Sequence, residues 1–202
     1  QYIGQTTSVF NSNNGRIERV NFHPTNPNII WASAPEGGLW RSNDGGANWN
    51  LIDDFWEHLS VGDLVYNTNN TDTLYVATDD PDSWFNTNRG ILRSDDGGTT
   101  WNIVGLPNSQ AQNINKLAMH PDGRTLLACT NQGLFKSVNH GVTWTKNTAL
   151  PSNADVYDLE FKPGSTQVIY VTTRGGGSPN YTYFYVSTDG GATFTQQTAP
   201  MN

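Results

Sequence analysis

Apolar and polar residues alternate along this chain in short runs and do not recur at helical spacing, a pattern that predicts β-strands separated by turns. Residues 60–66 read as a first strand, 73–78 as a second, 90–94 as a third and 101–104 as a fourth. The same order returns elsewhere. First strands are predicted over 16–23, 114–120 and 156–162, second strands over 29–33, 125–130 and 168–173, and third strands over 38–42, 133–137 and 183–187. Three first strands end at proline, in His23-Pro24, His120-Pro121 and Lys162-Pro163, where a missing N–H suits a strand end. No run of ten or more residues holds a helical period, so almost no helix is expected.

Between third and fourth strands stands one motif, Ser-x-Asp-x-Gly-x-x-aromatic. Its copies are Ser42, Asp44, Gly46 and Trp49; Ser94, Asp96, Gly98 and Trp101; Ser137, Asn139, Gly141 and Trp144; and Ser187, Asp189, Gly191 and Phe194. The serines step by 52, 43 and 50 residues, a period of repeat arrays such as propellers. Each copy predicts a tight turn. The carboxylate accepts backbone N–H groups ahead of it, glycine supplies a positive φ, and the aromatic ring starts the next strand. Asn139 keeps an acceptor and loses the charge, so its turn should still form.

These four segments resemble Asp-box, or BNR, repeats, which occur in sialidases, xyloglucanase-type glycosidases, sortilin-like domains and photosystem assembly factors. The resemblance covers nearly the whole chain and implies an all-β fold, a β-propeller of four four-stranded blades with Asp-box turns. One domain over residues 1–202 is expected, with blades over about 15–57, 58–107, 108–152 and 153–202 and an N-terminal edge segment over 1–14. Asp-box propellers usually carry six or more blades. The chain therefore reads as a portion of a larger propeller, a compact four-bladed one, or a half that pairs with a second copy. The family's Asp-boxes are structural turns away from the binding face.

Composition narrows the partners. A chain of 202 residues with formal charge −7 and only eleven Lys plus Arg lacks the positive field that holds a phosphate backbone, which excludes nucleic acid and anionic membrane. No apolar run approaches a membrane span, and the first residues do not read as a basic-then-apolar leader. The one cysteine, Cys129, lies in an apolar run and reads as a core residue. The histidines, His23, His58, His120 and His140, show no zinc-ligand spacing.

Antiparallel order puts the Asp-box turns on one face and the second-to-third loops and blade crossings on the other. Two unusual segments fall on that other face, the crossing over 53–58 and the long loop over 79–89. Both mix carboxylates with aromatics. Trp56, Trp84 and Phe85 are candidate platforms for the apolar side of a sugar ring, with Asp79, Asp80 and Asp82 as acceptors and Tyr181, in the loop over 174–182, as a further contact. The competing reading makes Trp56 and Trp84 gap-fillers between blades. The three aspartates lack the glycine and distal glutamate of an EF-hand loop, so no metal is expected, and no cofactor.

Carried over residue by residue, the resemblance leaves the enzyme reading weak. The arginine-isoleucine-proline segment of sialidases meets Arg16-Ile17-Glu18 here, and the xyloglucanase catalytic aspartate, shortly before a Gly-Gly pair, meets Pro35, with Glu36 displaced by one. No catalytic residue is expected. The reading is a non-enzymatic secreted or cell-surface module of bacterial type that binds a protein or glycan ligand, with self-association or further blades as its assembly. Its alternative is a carbohydrate-active propeller of sialidase or xyloglucanase type.

Overall fold

The computed structural model describes residues 17–34, 37–52, 60–78, 89–106, 113–174 and 182–198. Among them stand sixteen strands and no helix, and hence no helix long and apolar enough to cross a membrane. The strands form four antiparallel sheets, each in simple chain order. Sheet one holds β1 (Arg19–Phe22), β2 (Ile30–Ala34), β3 (Gly38–Ser42) and β4 (Asn50–Leu51). Sheet two holds β5 (Asp63–Tyr66), β6 (Leu74–Thr78), β7 (Gly90–Ser94) and β8 (Asn102–Gly105). Sheet three holds β9 (Ile114–Met119), β10 (Leu126–Thr130), β11 (Gly133–Ser137) and β12 (Thr145–Lys146). Sheet four holds β13 (Asp155–Phe161), β14 (Ile169–Arg174), β15 (Thr182–Ser187) and β16 (Thr195–Gln197).

Burial follows from the stacking of sheets. The second strands β2, β6 and β10 are buried at every residue, and β6 and β10 have a neighbouring sheet on each face. β14 alternates, with Ile169, Val171 and Thr173 buried and the residues between them more open, because its sheet is covered on one side only. Three apolar clusters fill the spaces between successive sheets. Trp31 and Leu39 meet Val61, Leu64 and Leu92 in the first; Tyr75 and Ile91 meet Ile114, Leu117 and Leu126 in the second; Leu127 and Leu134 meet Val156, Leu159 and Tyr185 in the third. Cys129 is fully buried, and burial pushes its thiol pKa well above the ordinary value.

This is the all-β propeller architecture, four four-stranded blades in sequence, and the sheets do not close into a ring. The innermost strands β1, β5, β9 and β13 pack one against the next, which brings equivalent ends of all four sheets to the same face of the array.

Each Asp-box turn is held by one serine and one acidic or amide side chain. In the second, Gly98 N–H donates to Ser94 Oγ at 2.8 Å, Ser94 Oγ donates to Asp96 Oδ1 at 2.8 Å, and Asp96 accepts Thr100 N–H at 2.8 Å and the Thr100 hydroxyl at 2.6 Å. The third turn keeps this geometry with Asn139 as the acceptor of Thr143 N–H. His140, which stands where the other turns have glycine, takes a φ of 60°.

These bonds hold the carboxyls of Asp44, Asp96 and Asp189 at pKa values of about 2, through the Asn48 N–H above all for Asp44 and the Thr100 and Thr193 hydroxyls for the other two. Against an unfolded value near 4, the stabilisation is complete above about pH 4 and lost as pH falls toward about 2. The melting temperature should therefore drop across that window, and less steeply in Asp96→Asn. An equal drop in that variant would remove Asp96 from the acid transition.

Candidate functional site

The loop face is built on strand ends whose register is shared between blades. Thr78 pairs with Gly90 at the mouth of the second blade's loop, and Thr130 with Gly133 at the mouth of the third. Both threonines are fully buried and make the same clamp. Thr78 Oγ1 donates to Gly90 O at 2.7 Å and accepts Arg89 N–H at 2.9 Å; Thr130 Oγ1 donates to Gly133 O at 2.7 Å and accepts Gln132 N–H at 3.1 Å. Two residues suffice to join the strands in blade three, whereas eleven, 79–89, join them in blade two. The extra length is not needed to turn the chain, which marks it as a segment available for function.

The residues singled out on that loop face, Trp56, Asp79, Asp80, Asp82, Trp84, Phe85 and Tyr181, lie outside the described residues, as do Pro35 and Glu36. What the described residues establish is where their segments emerge. The loop over 79–89 leaves from Thr78, the crossing over 53–59 runs from Ile52 to Ser60, and the fourth blade's loop leaves from Arg174, which pairs with Thr182. All three spring from the end of the sheets opposite the Asp-box turns.

At the root of the fourth blade's loop sits a polar group. Arg174 Nε lies 3.0 Å from Asp155 Oδ2, and its guanidinium stands 4.6 Å over the ring of Tyr157, which is 46% exposed. Tyr157 is the extra residue of a β-bulge between Val156 and Asp158, which re-aims its side chain. Asn115 is skipped in the same way in β9. Its Nδ2 donates to Asp155 Oδ1 at 3.1 Å and to Val156 O at 2.8 Å, tying blade three to blade four.

Next to this group the inner strands carry a ladder of alternating charge. Arg19, Asp63, Lys116 and Asp158 occupy equivalent positions, each three residues before Phe22, Tyr66, Met119 and Phe161. Arg19 Nε is 3.5 Å from Asp63 Oδ1, and Lys116 Nζ is 2.6 Å from both Asp158 Oδ1 and Glu160 Oε1. Asp63 Oδ1 accepts the Leu64 N–H and Oδ2 the Leu117 N–H, both at 2.9 Å, so one carboxylate joins two inner strands. Burial pushes its pKa up to about 6, against the opposing pull of Arg19 and the two N–H donors.

Reading single segments missed Asp155, Tyr157 and the ladder. A signal was present: aligning the four first strands at their turn-proximal ends brings Arg, Asp, Lys and Asp into one column. Among the described residues no group of three or more His, Cys, Asp or Glu could hold a metal ion.

A protein-family model described as Sortilin, neurotensin receptor 3, matches residues 37–133. A xyloglucanase of Paenibacillus sp is 29% identical over 223 residues, an alignment that takes in 93% of this chain and 21% of that protein. Xyloglucanase Xgh74A of Acetivibrio thermocellus is 27% identical, across 92% of this chain and 26% of its own length. Among solved structures, an ancestral GH74 enzyme matches with a TM-score of 0.78 at 22% identity, covering 93% of this chain and 26% of that one, a likeness of fold.

The chain thus spans between a fifth and about a quarter of the curated relatives it matches. Its blades are similar to the repeats of sortilin-like and xyloglucanase-like propellers. The expectation of a non-enzymatic module is corrected by these matches. Relatives aligned along nearly the whole chain are named as enzymes, xyloglucanases, and they back the carbohydrate-active alternative better than the non-enzymatic reading. Single catalytic positions decide little in a chain that aligns with only part of those enzymes.

Proposed function

We propose that this chain supplies four blades of a secreted carbohydrate-active propeller of xyloglucanase type, with the glycan held on the face opposite the Asp-box turns. The observation that carries this reading is the alignment with the Paenibacillus xyloglucanase over 93% of the chain. The strand register supports it, since eleven residues join the strands that two residues join in the next blade. A β-linked glucan presents flat apolar ring faces edged with hydroxyls. Trp56, Trp84 and Phe85 are the stacking platforms in this reading, and Asp79, Asp80 and Asp82 accept hydroxyl hydrogens.

Hydrolysis of a glycosidic bond takes two carboxyl groups, one as acid and one as base or nucleophile, flanking the bond. With Pro35 where the family's aspartate stands, this chain's contribution is binding and positioning, and carboxyls from further blades complete the chemistry. Polysaccharide of this size is met outside the cell, which is the ground for secretion.

Affinity electrophoresis through gels containing xyloglucan tests the reading. The chain should be retarded, and the double variant Trp56→Ala with Trp84→Ala should lose about tenfold or more in affinity, as expected when two aromatic anchors are truncated, at an unchanged melting temperature. Free migration of the unmodified chain would overturn the proposal, and unfolding of the double variant would return both tryptophans to the core.

A further inference from the structure

We propose that the groove between blades three and four, on the outer rim beside β12, binds a monosaccharide-sized organic anion, a pyranose ring that carries a carboxylate. Its walls come from β11, β12 and the fourth Asp-box turn, and the two sheets concerned pack on each other through one apolar cluster. The groove therefore belongs to neither open end of the array. It lies apart from the loop over 79–89 and stands independently of glycan binding there. Its volume of about 300 Å³ is at the low end of those that hold small molecules, about 300–1,000 Å³.

Strand register shows how the rim differs here. Ile52, Val104 and Asn147 hold one place, each directly after the residue that pairs with Trp40, Leu92 and Phe135 respectively. Ile52 packs on the first apolar cluster and Val104 on the second. Asn147 instead donates from Nδ2 to Gly191 O at 2.7 Å. The fourth turn calls for that donor. In the first three turns the indole N–H of Trp49, Trp101 and Trp144 donates to the carbonyls of Gly46, Gly98 and Gly141, and Phe194 has no such hydrogen. What is an apolar seal in two interfaces is a polar wall in the third.

The lining offers hydrogen-bond donors and no carboxylate. Lys136 is the register equivalent of Arg41 and Arg93. Arg41 donates to Gly97 O at 2.8 Å, and Arg93 Nη2 lies 2.6 Å from Asp95 Oδ1. Lys136 Nζ reaches only Gly190 O, at 3.4 Å, among the described residues. Lys146, on the same rim, is held by Ser152 O at 3.0 Å, which leaves Lys136 as the charge turned to a ligand. The hydroxyls of Thr145 and Thr148 make no hydrogen bond among the described residues. Thr143 Oγ1 accepts from Asn139 Nδ2 at 2.9 Å and keeps its own hydrogen to donate. An ammonium without a counterion takes a carboxylate, the threonine hydroxyls meet ring hydroxyls, and Val138 and Ala149 offer apolar contact to ring carbons. Those three features together describe a uronate.

Two-dimensional NMR of the isotope-labelled chain at low ionic strength, titrated separately with glucuronate, glucose and sulfate, tests this. Glucuronate should shift the amide signals of Asn147, Thr148, Gly191 and Ala192 saturably, and glucose at equal concentration should leave them in place. Lys136→Met keeps the aliphatic stem and removes the charge. It should lose about tenfold or more in affinity for glucuronate, the weight of one charge-assisted hydrogen bond, at an unchanged melting temperature. Amides that glucuronate does not move overturn the proposal, as does an unchanged affinity in the folded variant. Glucose bound as tightly as glucuronate overturns the assignment of an anion, and sulfate bound as tightly overturns that of a sugar ring. The ranking of the three ligands is read on the unmodified chain, so it decides the matter even where Lys136→Met fails to fold.

Discussion

Gly98→Ala is expected to destabilise the fold by about 2–5 kcal/mol, read as a shift in the urea midpoint. Two terms combine. Gly98 has a φ of 88°, and placing an L-residue there costs about 1–2 kcal/mol. The added Cβ would also run into the Trp31 ring of the neighbouring sheet, and overpacking of that kind costs about 1–3 kcal/mol. Trp31 has no easy retreat. It is 1% exposed, its Nε1 donates to Tyr66 Oη at 2.6 Å, and the Arg41 guanidinium lies over its ring at 5.1 Å. Gly46→Ala is the control at the same motif position, with a φ of 95° and nothing nearer than 3.7 Å to the new atom. It should cost the backbone term alone, about 1–2 kcal/mol. Equal losses in the two variants would show that Gly98 serves its own turn and not the contact between blades.

Removal of the Asp63 carboxylate should be at least as damaging, about 3–5 kcal/mol for Asp63→Ala, the range for breaking a buried charged pair on one side. The loss has an identifiable origin, since Leu64 N–H and Leu117 N–H would be left without their acceptor inside the array and Arg19 without its counterion. A pH signature separates this from a simple cavity. The folded pKa of about 6 lies above the unfolded value near 4, so the folded state holds the proton more tightly. The stabilisation from this group is complete below about pH 4 and lost as pH rises through about 6. Urea midpoints taken across that window should show the decline in the unmodified chain and not in Asp63→Asn. An identical decline in both would move its origin to another group.

The Asp-box bonds and the loop insertion differ in how much of them could be read from the sequence. Ser94, Asp96, Gly98 and Trp101 lie within eight residues, and their bonds close over that span, so residue type and spacing were enough to predict the turn. The loop over 79–89 was legible as unusual in composition, but its status as an insertion came from the shared register of Thr78 with Gly90 and Thr130 with Gly133. Tyr157 and Asn115 were not legible at all. Each owes its direction to a bulge, which depends on how two strands pair and not on the residue alone.

The sequence by itself determined that the chain is an array of Asp-box blades, because alternation, turn chemistry and period are local properties that one repeat confirms in the next. The tertiary structure alone decided which equivalent residues are covered and which are bare. Val20 and Leu64 read alike as apolar strand residues, yet one is 51% exposed and the other 1%. At this pair of equivalent positions the difference follows from the neighbouring sheet that covers Leu64, a relation between segments some forty residues apart that no local pattern encodes.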